Sequence, residues 1–186
     1  MKTICVYCAA SAEIDKAYFE AAARLGQLIG EHGIRLVNGA GTTGLMRMCA
    51  DAAMSAGGNA TGVIPQFMID RGWQYDKMTE LIVTRDMHER KQTMAQLSDA
   101  CIAMAGGCGT MEELLEIITW KQMGLYSKPV IILNTAGYYN PLIKMLETAV
   151  GQRFMKPEHI RLWDIADTPD DAVRIITEVW NAHHPK

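Results

Sequence analysis

Two short segments carry residue types that could act together on a phosphorylated substrate. In "MAGGCGTMEE", residues 104–113, glycines and a threonine stand directly before two glutamates. The second segment, "MHERKQ" (87–92), contains an adjacent arginine and lysine. Backbone N–H groups of a glycine loop that opens a helix bind anions such as phosphate, whereas carboxylates repel them. The chemistry of the first segment therefore depends on what lies between its loop and its glutamates.

The glycine loop of the first segment follows an apolar run and precedes a strong helical pattern. Gly106, Gly107 and Gly109 permit close approach of the backbone, and Thr110 adds a hydroxyl to the donors at the helix start. No lysine follows the last glycine, so the loop is not a Walker A motif. A glycine turn followed by a capped helix explains the same residues without a ligand, and both interpretations stay open at this point.

The two glutamates suggest chemistry at a sugar. A ribose attached to a phosphate in the loop would reach the first helical turn, where a carboxylate would face it. Cleavage of a sugar–base bond develops positive charge on the sugar, which a carboxylate stabilises. The same group can orient or deprotonate the attacking water. Adjacent helical positions differ by about 100°, so we expect only one of Glu112 and Glu113 to point into the site. Alternatively, both are acids favoured by a helix N-terminus.

The second segment offers the complementary charges. The planar guanidinium of Arg90 suits a phosphate, ribose hydroxyls or a glutamate partner. Lys91 and Met87 belong to the same segment, which follows a candidate strand. Taken alone, the segment also fits a solvated charged face of a helix.

A second glycine-rich stretch, "GAGTTG" (39–44), satisfies the pattern GxGxxG. In a dinucleotide site an acidic residue about 20 positions later binds the ribose, but here the next candidate strand ends in "GVIPQF" without an acid. We therefore favour a tight turn that serves packing or a smaller anion over an NAD site. Gly41 and Thr42 of this turn, and Ser11 after the first candidate strand, are candidate substrate-binding residues.

The apolar pattern predicts the elements that must position these residues. Short apolar runs alternate with longer helical patterns, which indicates a doubly wound, Rossmann-like α/β domain: a parallel sheet with helices on both faces. Ligands in such folds lie beyond the carboxyl ends of the strands, and the segments discussed above all follow candidate strands. The candidate strands are 3–8, 34–39, 60–65, 80–84, 100–105, 129–134 and 160–165, and the candidate helices are 15–32, 43–57, 87–98, 109–124, 138–152 and 169–182.

Length and composition narrow the function classes. The 186 residues predict a single domain, and the net charge of −3 offers no broad attraction for nucleic acid or an anionic membrane. The N-terminal apolar run is too short for a signal peptide, and no stretch approaches the roughly 20 apolar residues of a membrane span, so we expect a cytoplasmic protein. The segment 66–78, rich in aromatic residues and methionine, is a candidate lid or subunit contact.

The cysteines and histidines predict neither a disulfide framework nor a metal site. There are five cysteines, an odd number, and they are scattered. Cys5 and Cys8 have the spacing of a redox or metal pair, but they lie in a candidate strand, where positions three apart point to opposite faces. We therefore expect two buried thiols. The histidines do not cluster at ligand spacing, and His183 and His184 belong to a tail that we expect to fray.

Taken together, these motifs resemble the LOG ("lonely guy") family of cytokinin riboside 5′-monophosphate phosphoribohydrolases, whose members are often mislabelled lysine decarboxylases. The family signature PGGxGTxxE follows a helix that contains HERK, and this chain has "AGGCGTMEE" and "MHERKQ" at matching spacing. The likeness extends through "EIITWKQMGLYSKPVIILN" and "GYYNPL", and back to "VYCAAS" and "GTTGLM", and covers most of residues 3–155.

The resemblance implies a Rossmann-like fold and hydrolysis of the N-glycosidic bond of N6-modified AMP, giving a free base (a cytokinin) and ribose 5-phosphate. It implies Glu113 as the catalytic carboxylate and Arg90 as its partner at the ribose. It also implies at least a homodimer, and the helix that carries Trp120 and Met123 suits that contact, although core packing explains it equally well. The implied phosphate-binding residues are Gly106, Gly107, Gly109 and Thr110, with Lys91 and Met87 lining the same site.

Four positions depart from the family pattern. Ala105 replaces the proline that opens the signature, which removes some preorganisation but no backbone donor. The first-strand loop has Ala10 in "CAAS", where glycine and two serines are typical, and Ala40 replaces a glycine in the second loop. Arg47 stands where the family has GLMG, and it either tightens phosphate binding or lies in solvent. We expect these changes to affect substrate preference rather than reaction type.

The sequence thus favours a nucleotide N-glycosidase that acts on a small nucleoside monophosphate, with a reaction that needs no metal or redox cofactor. The alternative from a different class is a non-catalytic AMP-like nucleotide-binding or carrier protein. A carboxylate at the sugar weighs against it, because binding of phosphate alone does not need one. A lysine decarboxylase would need pyridoxal phosphate on a lysine in a much larger architecture, and the sequence does not support it.

Overall fold

A computed structural model describes residues 1–182 of the chain, and its centre is one parallel sheet of seven strands. The strands lie in the order β4-β3-β2-β1-β5-β6-β7, and every neighbouring pair is parallel. Such strands need crossover connections, which the helices supply. The strands are β1 Thr3–Tyr7, β2 Arg35–Asn38, β3 Asn59–Pro65, β4 Glu80–Thr84, β5 Ala100–Ala103, β6 Val130–Leu133 and β7 Asp164–Ala166.

Helices cover both faces of the sheet and bury two apolar clusters against it. One cluster joins the sheet to α1, α2 and α7, and the other joins it to α4, α5 and α6. The doubly wound, Rossmann-like prediction is therefore confirmed. The helices are α1 Lys16–Glu31, α2 Gly44–Ser55, α3 Gln66–Ile69, α4 Met87–Leu97, α5 Cys108–Gln122, α6 Asn140–Gly151 and α7 Pro169–Ala182, with 3₁₀ turns at Thr135–Gly137 and Pro157–Arg161.

The connections diverge on the two sides of β1. The chain moves from β1 to β2 on one side, and β5 pairs with β1 on the other. The loops that follow β1 and β5 leave the sheet at the ends of these two neighbouring strands. A hydrogen bond joins the two loops: the Ala9 N–H donates to the Ala105 carbonyl at 3.1 Å. A crevice opens at this kind of switch point in doubly wound folds. The topology therefore brings the predicted glycine loop to the usual ligand position.

The loop after β2 is fastened to the loop after β1. The Leu45 N–H donates to the Ala9 carbonyl at 2.9 Å, and the Thr43 hydroxyl donates to the Ala10 carbonyl at 2.6 Å. Gly44 has a φ of +68°, and an added Cβ would lie 2.5 Å from the Ala10 carbonyl carbon. Only glycine satisfies both the left-handed backbone and this close approach. The second glycine stretch is therefore a tight turn packed against the loop after β1, as predicted, while a role in binding a small anion stays a prediction.

The segment 66–78 closes over that turn. It begins with the short helix α3, and its Gln74 forms an isolated antiparallel bridge with Gly41. The Tyr75 N–H donates to the Ala40 carbonyl at 2.8 Å. The segment is therefore tied to the second glycine loop, while its role as a lid or subunit contact stays a prediction.

The predicted seventh strand, 160–165, is wrong in position. Pro157 starts a 3₁₀ turn that runs to Arg161, and the strand that pairs with β6 begins only at Asp164. Proline at the start of a helical turn supplies a preset φ. This edge strand pairs with one neighbour only, which leaves its position weakly marked by the apolar pattern.

The cysteines behave as ordinary core or surface thiols in the described residues. Cys5 and Cys8 are both buried, in different apolar clusters on opposite faces of the sheet, as their spacing predicts. All five cysteines are free thiols, and residues 1–182 contain no cluster of side chains that could hold a metal ion. In the same range, no helix has the length and hydropathy needed to cross a membrane. His183 and His184 lie outside the described residues.

Candidate active site

The glycine loop leaves free backbone donors at the start of α5. Gly107 is the N-cap residue of α5, and, as a glycine, it offers no side-chain acceptor to the N–H groups of the first turn. The first intrahelical bond of α5 in this turn runs from the Met111 N–H to the Gly107 carbonyl at 3.1 Å. The preceding N–H groups, at Cys108, Gly109 and Thr110, have no acceptor within the helix. Together with the helix dipole, they form a site suited to an anion.

The other side of this loop is packed tightly. Thr110 is buried and its side chain lies against Gly106, where any Cβ would overlap the Thr110 hydroxyl. The Gly106 carbonyl accepts a hydrogen bond from the Tyr138 hydroxyl at 2.6 Å. Gly106 therefore shapes the loop from behind and does not line the cavity in front of it.

Arg90 lies on helix α4 and extends its side chain into the protein interior. The Asp86 carboxylate accepts from the Glu89 N–H at 2.9 Å and so fixes the start of the helix. One turn later Arg90 is buried, and its Nε donates to the Val63 carbonyl at 2.9 Å while Nη2 donates to the Gly39 carbonyl at 3.3 Å. These carbonyls follow β2 and belong to β3, so the sheet itself orients the guanidinium. Its remaining nitrogen, Nη1, faces α5.

Glu113 is the group that Arg90 meets there. Its Oε1 lies 3.5 Å from Arg90 Nη1, and both side chains are less than a tenth exposed. Burial raises the pKa of the Glu113 carboxyl to about 7, and the Arg90 guanidinium counteracts only part of this effect. A carboxylate with such a pKa exchanges a proton near neutral pH, which suits both charge stabilisation and general base chemistry.

One cavity of about 360 Å³ brings most of the predicted residues together. It lies between the loops after β1 and β5, and it receives the Glu113–Arg90 pair from α5 and α4. The predicted residues that line it are Ser11, Met87, Arg90, Gly107, Gly109, Thr110 and Glu113. Gly41 and Thr42 line an adjoining cavity of about 350 Å³ that shares Ala10, Met46 and Arg90 with the first.

Lys91 has a different place from the one that the family resemblance implies. Its side chain is buried, and its ammonium pairs with the Glu112 carboxylate and lies 3.1 Å from Glu116 Oε1. It lies outside the linings of both cavities. Lys91 therefore ties α4 to α5. The same pairing separates the two glutamates: Glu112 reaches the rim half exposed, whereas Glu113 is buried against Arg90.

Sequence reasoning missed three contributors. Met46 lines both cavities, Gly39 provides the space for Arg90, and Tyr138 holds the glycine loop from behind. A Cβ at Gly39 would overlap Arg90 Nη2. The motif "GYYNPL" was a signal for Tyr138, but the bond joins residues 32 positions apart and spacing alone does not reveal it.

Comparisons with known proteins identify the family. A model described as "Possible lysine decarboxylase" matches residues 46–176. The chain is 39% identical over 185 residues to the probable cytokinin riboside 5′-monophosphate phosphoribohydrolase LOGL2 of Oryza sativa subsp. japonica, covering 100% of this chain and 75% of that protein. It is 44% identical over 156 residues to cytokinin riboside 5′-monophosphate phosphoribohydrolase LOG1 of Arabidopsis thaliana, covering 84% and 73%. The chain belongs to the LOG family.

Solved structures outside these LOG relatives share the fold. The molybdenum cofactor binding protein of Rippkaea orientalis has a TM-score of 0.74 at 24% identity, covering 97% of this chain and 98% of that one. The Moco carrier protein of Chlamydomonas reinhardtii has a TM-score of 0.75, also at 24% identity and with the same coverage. At this identity the likeness concerns the fold alone.

Two departures from the LOG pattern have structural consequences. Ala40 adopts a φ of +55°, where the family glycine would be unstrained, and its N–H donates to Asn38 Oδ1 at 2.9 Å. Arg47 lies 3.3 Å from Asp51 and over the ring of Tyr75, outside both cavities. The Arg47 side chain is about half exposed, so the sequence-based alternative in which it lies in solvent is confirmed, and the alternative in which it tightens phosphate binding finds no support in the two cavity linings.

Proposed function

We propose that this LOG-family chain hydrolyses the N-glycosidic bond of N6-modified AMP, a cytokinin riboside 5′-monophosphate, and releases the free base and ribose 5-phosphate. The observation that carries the proposal is the buried Glu113–Arg90 pair directly beside the free amides of the glycine loop. Relatives that cover most of this chain are named for the same reaction.

In the proposed mechanism the 5′-phosphate binds to the Gly107 N–H and to the free N–H groups at the start of α5, those of Cys108, Gly109 and Thr110. The ribose then lies over the first turn of α5, with C1′ near the Glu113 carboxylate. As the bond from C1′ to the base breaks, its electron pair leaves with the base, and the carboxylate stabilises the positive charge on the sugar. Glu113 also orients the water whose oxygen bonds to C1′, and the proton released by the water balances the one that the base takes up.

Arg90 has two tasks in this mechanism. Its charge favours the ionised form of Glu113, which burial alone would disfavour. Its bonds to the Val63 and Gly39 carbonyls fix the guanidinium, and through it the carboxylate, before substrate arrives. Preorganised charge of this kind acts without rearrangement during the reaction.

The test is release of free base from N6-isopentenyl-AMP, followed by chromatography. Glu113→Gln should lower turnover by about 10³-fold or more while AMP binding persists. Glu112→Gln is the neighbouring control: Glu112 also lines the cavity, but its carboxylate is half exposed and already pairs with Lys91, and we expect a change of less than about tenfold. A non-catalytic nucleotide carrier would bind AMP in all three proteins and release base in none.

We further propose that the chain works as a homodimer or higher homo-oligomer. Met123 and Leu125 are more than three-fifths exposed at the end of α5, and Leu125 lines a surface cavity together with Trp120. Exposed apolar groups in one area favour a protein contact. Light scattering after size-exclusion chromatography should give at least twice the monomer mass, and Leu125→Glu should lower it. A monomeric mass for the unmodified chain would contradict this proposal.

A further inference from the structure

The glycine loop is held from behind by three consecutive carbonyl groups. The Met104 carbonyl accepts from the Tyr139 hydroxyl at 2.7 Å, the Ala105 carbonyl from the Ala9 N–H at 3.1 Å, and the Gly106 carbonyl from the Tyr138 hydroxyl at 2.6 Å. The last of these bonds is the one nearest to the free amides at the start of α5. It comes from a residue outside the linings of both cavities.

Peptide geometry links this bond to the anion site. A trans peptide is planar, and its C=O and N–H point in opposite directions. A Gly106 carbonyl that points to Tyr138 therefore directs the Gly107 N–H away from Tyr138, to the side where Gly107 lines the cavity. Within residues 1–182, no protein group accepts a hydrogen bond from this N–H.

The peptide between two glycines is the easiest one in the loop to rotate. Gly106 and Gly107 populate both signs of φ with little cost, and Ala105 stands where the LOG signature has a ring-constrained proline. The Tyr138 ring is itself held edge-to-face between Tyr18 and Tyr139, with ring centroids at 5.9 Å and 5.0 Å. Its hydroxyl is thus a fixed donor to a peptide whose two glycines by themselves leave its orientation weakly restricted.

We propose that Tyr138 is a positioning residue for phosphate binding, which holds the Gly107 amide in its anion-binding orientation through the Gly106 carbonyl. This inference rests on the proposed function in one respect, because it takes the glycine loop as the site of the 5′-phosphate. It assigns Tyr138 no contact with the substrate. Loss of its hydroxyl should therefore affect the phosphate and leave the binding of the nucleoside part unchanged.

The experiment measures AMP and adenosine affinities by calorimetry in the Glu113→Gln background, where turnover does not deplete the ligand. Tyr138→Phe should lower the affinity for AMP about tenfold, which corresponds to the contribution of one hydrogen bond to a preorganised loop. The affinity for adenosine should stay unchanged. Tyr18→Phe is the matched control: the Tyr18 ring touches Tyr138, but its hydroxyl makes no hydrogen bond within residues 1–182. It should change neither affinity.

The outcomes separate this inference from the proposed function. Equal weakening of AMP and adenosine would show a general structural role, and an unchanged AMP affinity would show no role, so either result overturns the inference. A protein that releases no base but still shows the AMP-specific effect of Tyr138→Phe would overturn the hydrolase proposal alone. Failure of the Glu113→Gln protein to bind AMP would overturn the inference, because the loop would then not be a nucleotide phosphate site.

Discussion

The carboxylate of Glu113 and the guanidinium of Arg90 face each other across the crevice between α5 and α4, with 3.5 Å between Oε1 and Nη1. The two residues come from different helices and meet where the loops after β1 and β5 diverge. Two backbone carbonyls fix the arginine, whereas among residues 1–182 the glutamate pairs with Arg90 alone and has an open side towards the cavity. The pair is therefore rigid on the protein side and available on the substrate side.

Replacing Arg90 by lysine should cost much of the activity although the charge is kept. A single ammonium cannot reach the Val63 and Gly39 carbonyls and the Glu113 carboxylate with the geometry of a planar fork. We expect kcat/KM for N6-isopentenyl-AMP to fall about 10²-fold. Arg85→Lys is the control, since Arg85 is exposed and pairs with Glu89 at the surface. Equal effects of the two changes would contradict a special role for Arg90.

A methyl group at Gly39 should act through Arg90. Gly39→Ala leaves a permitted backbone, but its Cβ overlaps Arg90 Nη2, whereas the tightest contact of a Cβ at Gly41 is the flexible end of Met46 at 3.0 Å. We expect Gly39→Ala to lower kcat/KM about as much as Arg90→Lys and Gly41→Ala to lower it far less. In an Arg90→Ala background, adding Gly39→Ala should have little further effect. If Gly39→Ala lowered kcat/KM in the Arg90→Ala background as much as it does in the unmodified protein, this explanation would be wrong.

Activity should rise with pH through about 7. Because burial raises the pKa of Glu113 to about 7, the carboxylate that the mechanism needs is mostly protonated at pH 6 and mostly ionised at pH 8. The profile of kcat/KM should show this ionisation. Phosphate monoesters also ionise near pH 6, so binding of ribose 5-phosphate to Glu113→Gln measures that contribution separately. A rate that is flat from pH 6 to 8 after this correction would argue against Glu113 as the acting carboxylate.

The same raised pKa predicts how stability depends on pH. Between the unfolded value of 4.5 and about 7, the folded chain keeps the Glu113 proton that the unfolded chain releases, so rising pH favours unfolding. The difference between the two pKa values corresponds to a loss of about 3 kcal/mol in the free energy of unfolding once the pH exceeds both of them. Urea unfolding of the unmodified chain and of Glu113→Gln should show most of this loss as a relative change between pH 5 and pH 8. A constant difference between the two proteins would contradict it.

Restoring the proline of the LOG signature should stabilise the protein. Within residues 1–182 the Ala105 N–H makes no hydrogen bond, so proline removes no donor that the fold uses, while it restricts the unfolded chain. We expect Ala105→Pro to raise the free energy of unfolding by roughly 0.5–1 kcal/mol. Chemical denaturation measures this directly. A destabilised protein would show that the backbone at 105 does not accept a proline.

The sequence predicts the fold for physical reasons that are visible locally, and the family resemblance predicts the pairing of Glu113 with Arg90 that the structure contains. Central strands such as β1 and β6 are continuous apolar runs because both faces of the sheet are covered, and this pattern is hard to mistake. The apolar pattern does not fix the position of β7, because Asp164–Ala166 is a short edge strand that pairs with one neighbour. Two motifs, whose order and spacing match the LOG signature, indicate Arg90 and Glu113.

What the sequence could not predict are contacts between distant segments. Gly39 and Arg90 are 51 positions apart, and Lys91 meets Glu112 and Glu116 on another helix. Neither contact produces a periodic pattern in the sequence, since each depends on how segments that follow different strands pack together in the folded chain. The family resemblance implied that Lys91 lines the site, whereas its charge is used to hold α4 against α5.

The most direct test of the account compares base release from N6-isopentenyl-AMP and AMP with release from the corresponding nucleosides, using purified protein and chromatography. We predict release from monophosphates and none from nucleosides, because the free amides of the glycine loop must hold the phosphate before Glu113 can act on the sugar. The ratio of the two monophosphates gives the preference for an N6 substituent. No release from any substrate, with AMP still bound, would contradict the hydrolase proposal and favour a nucleotide-binding protein.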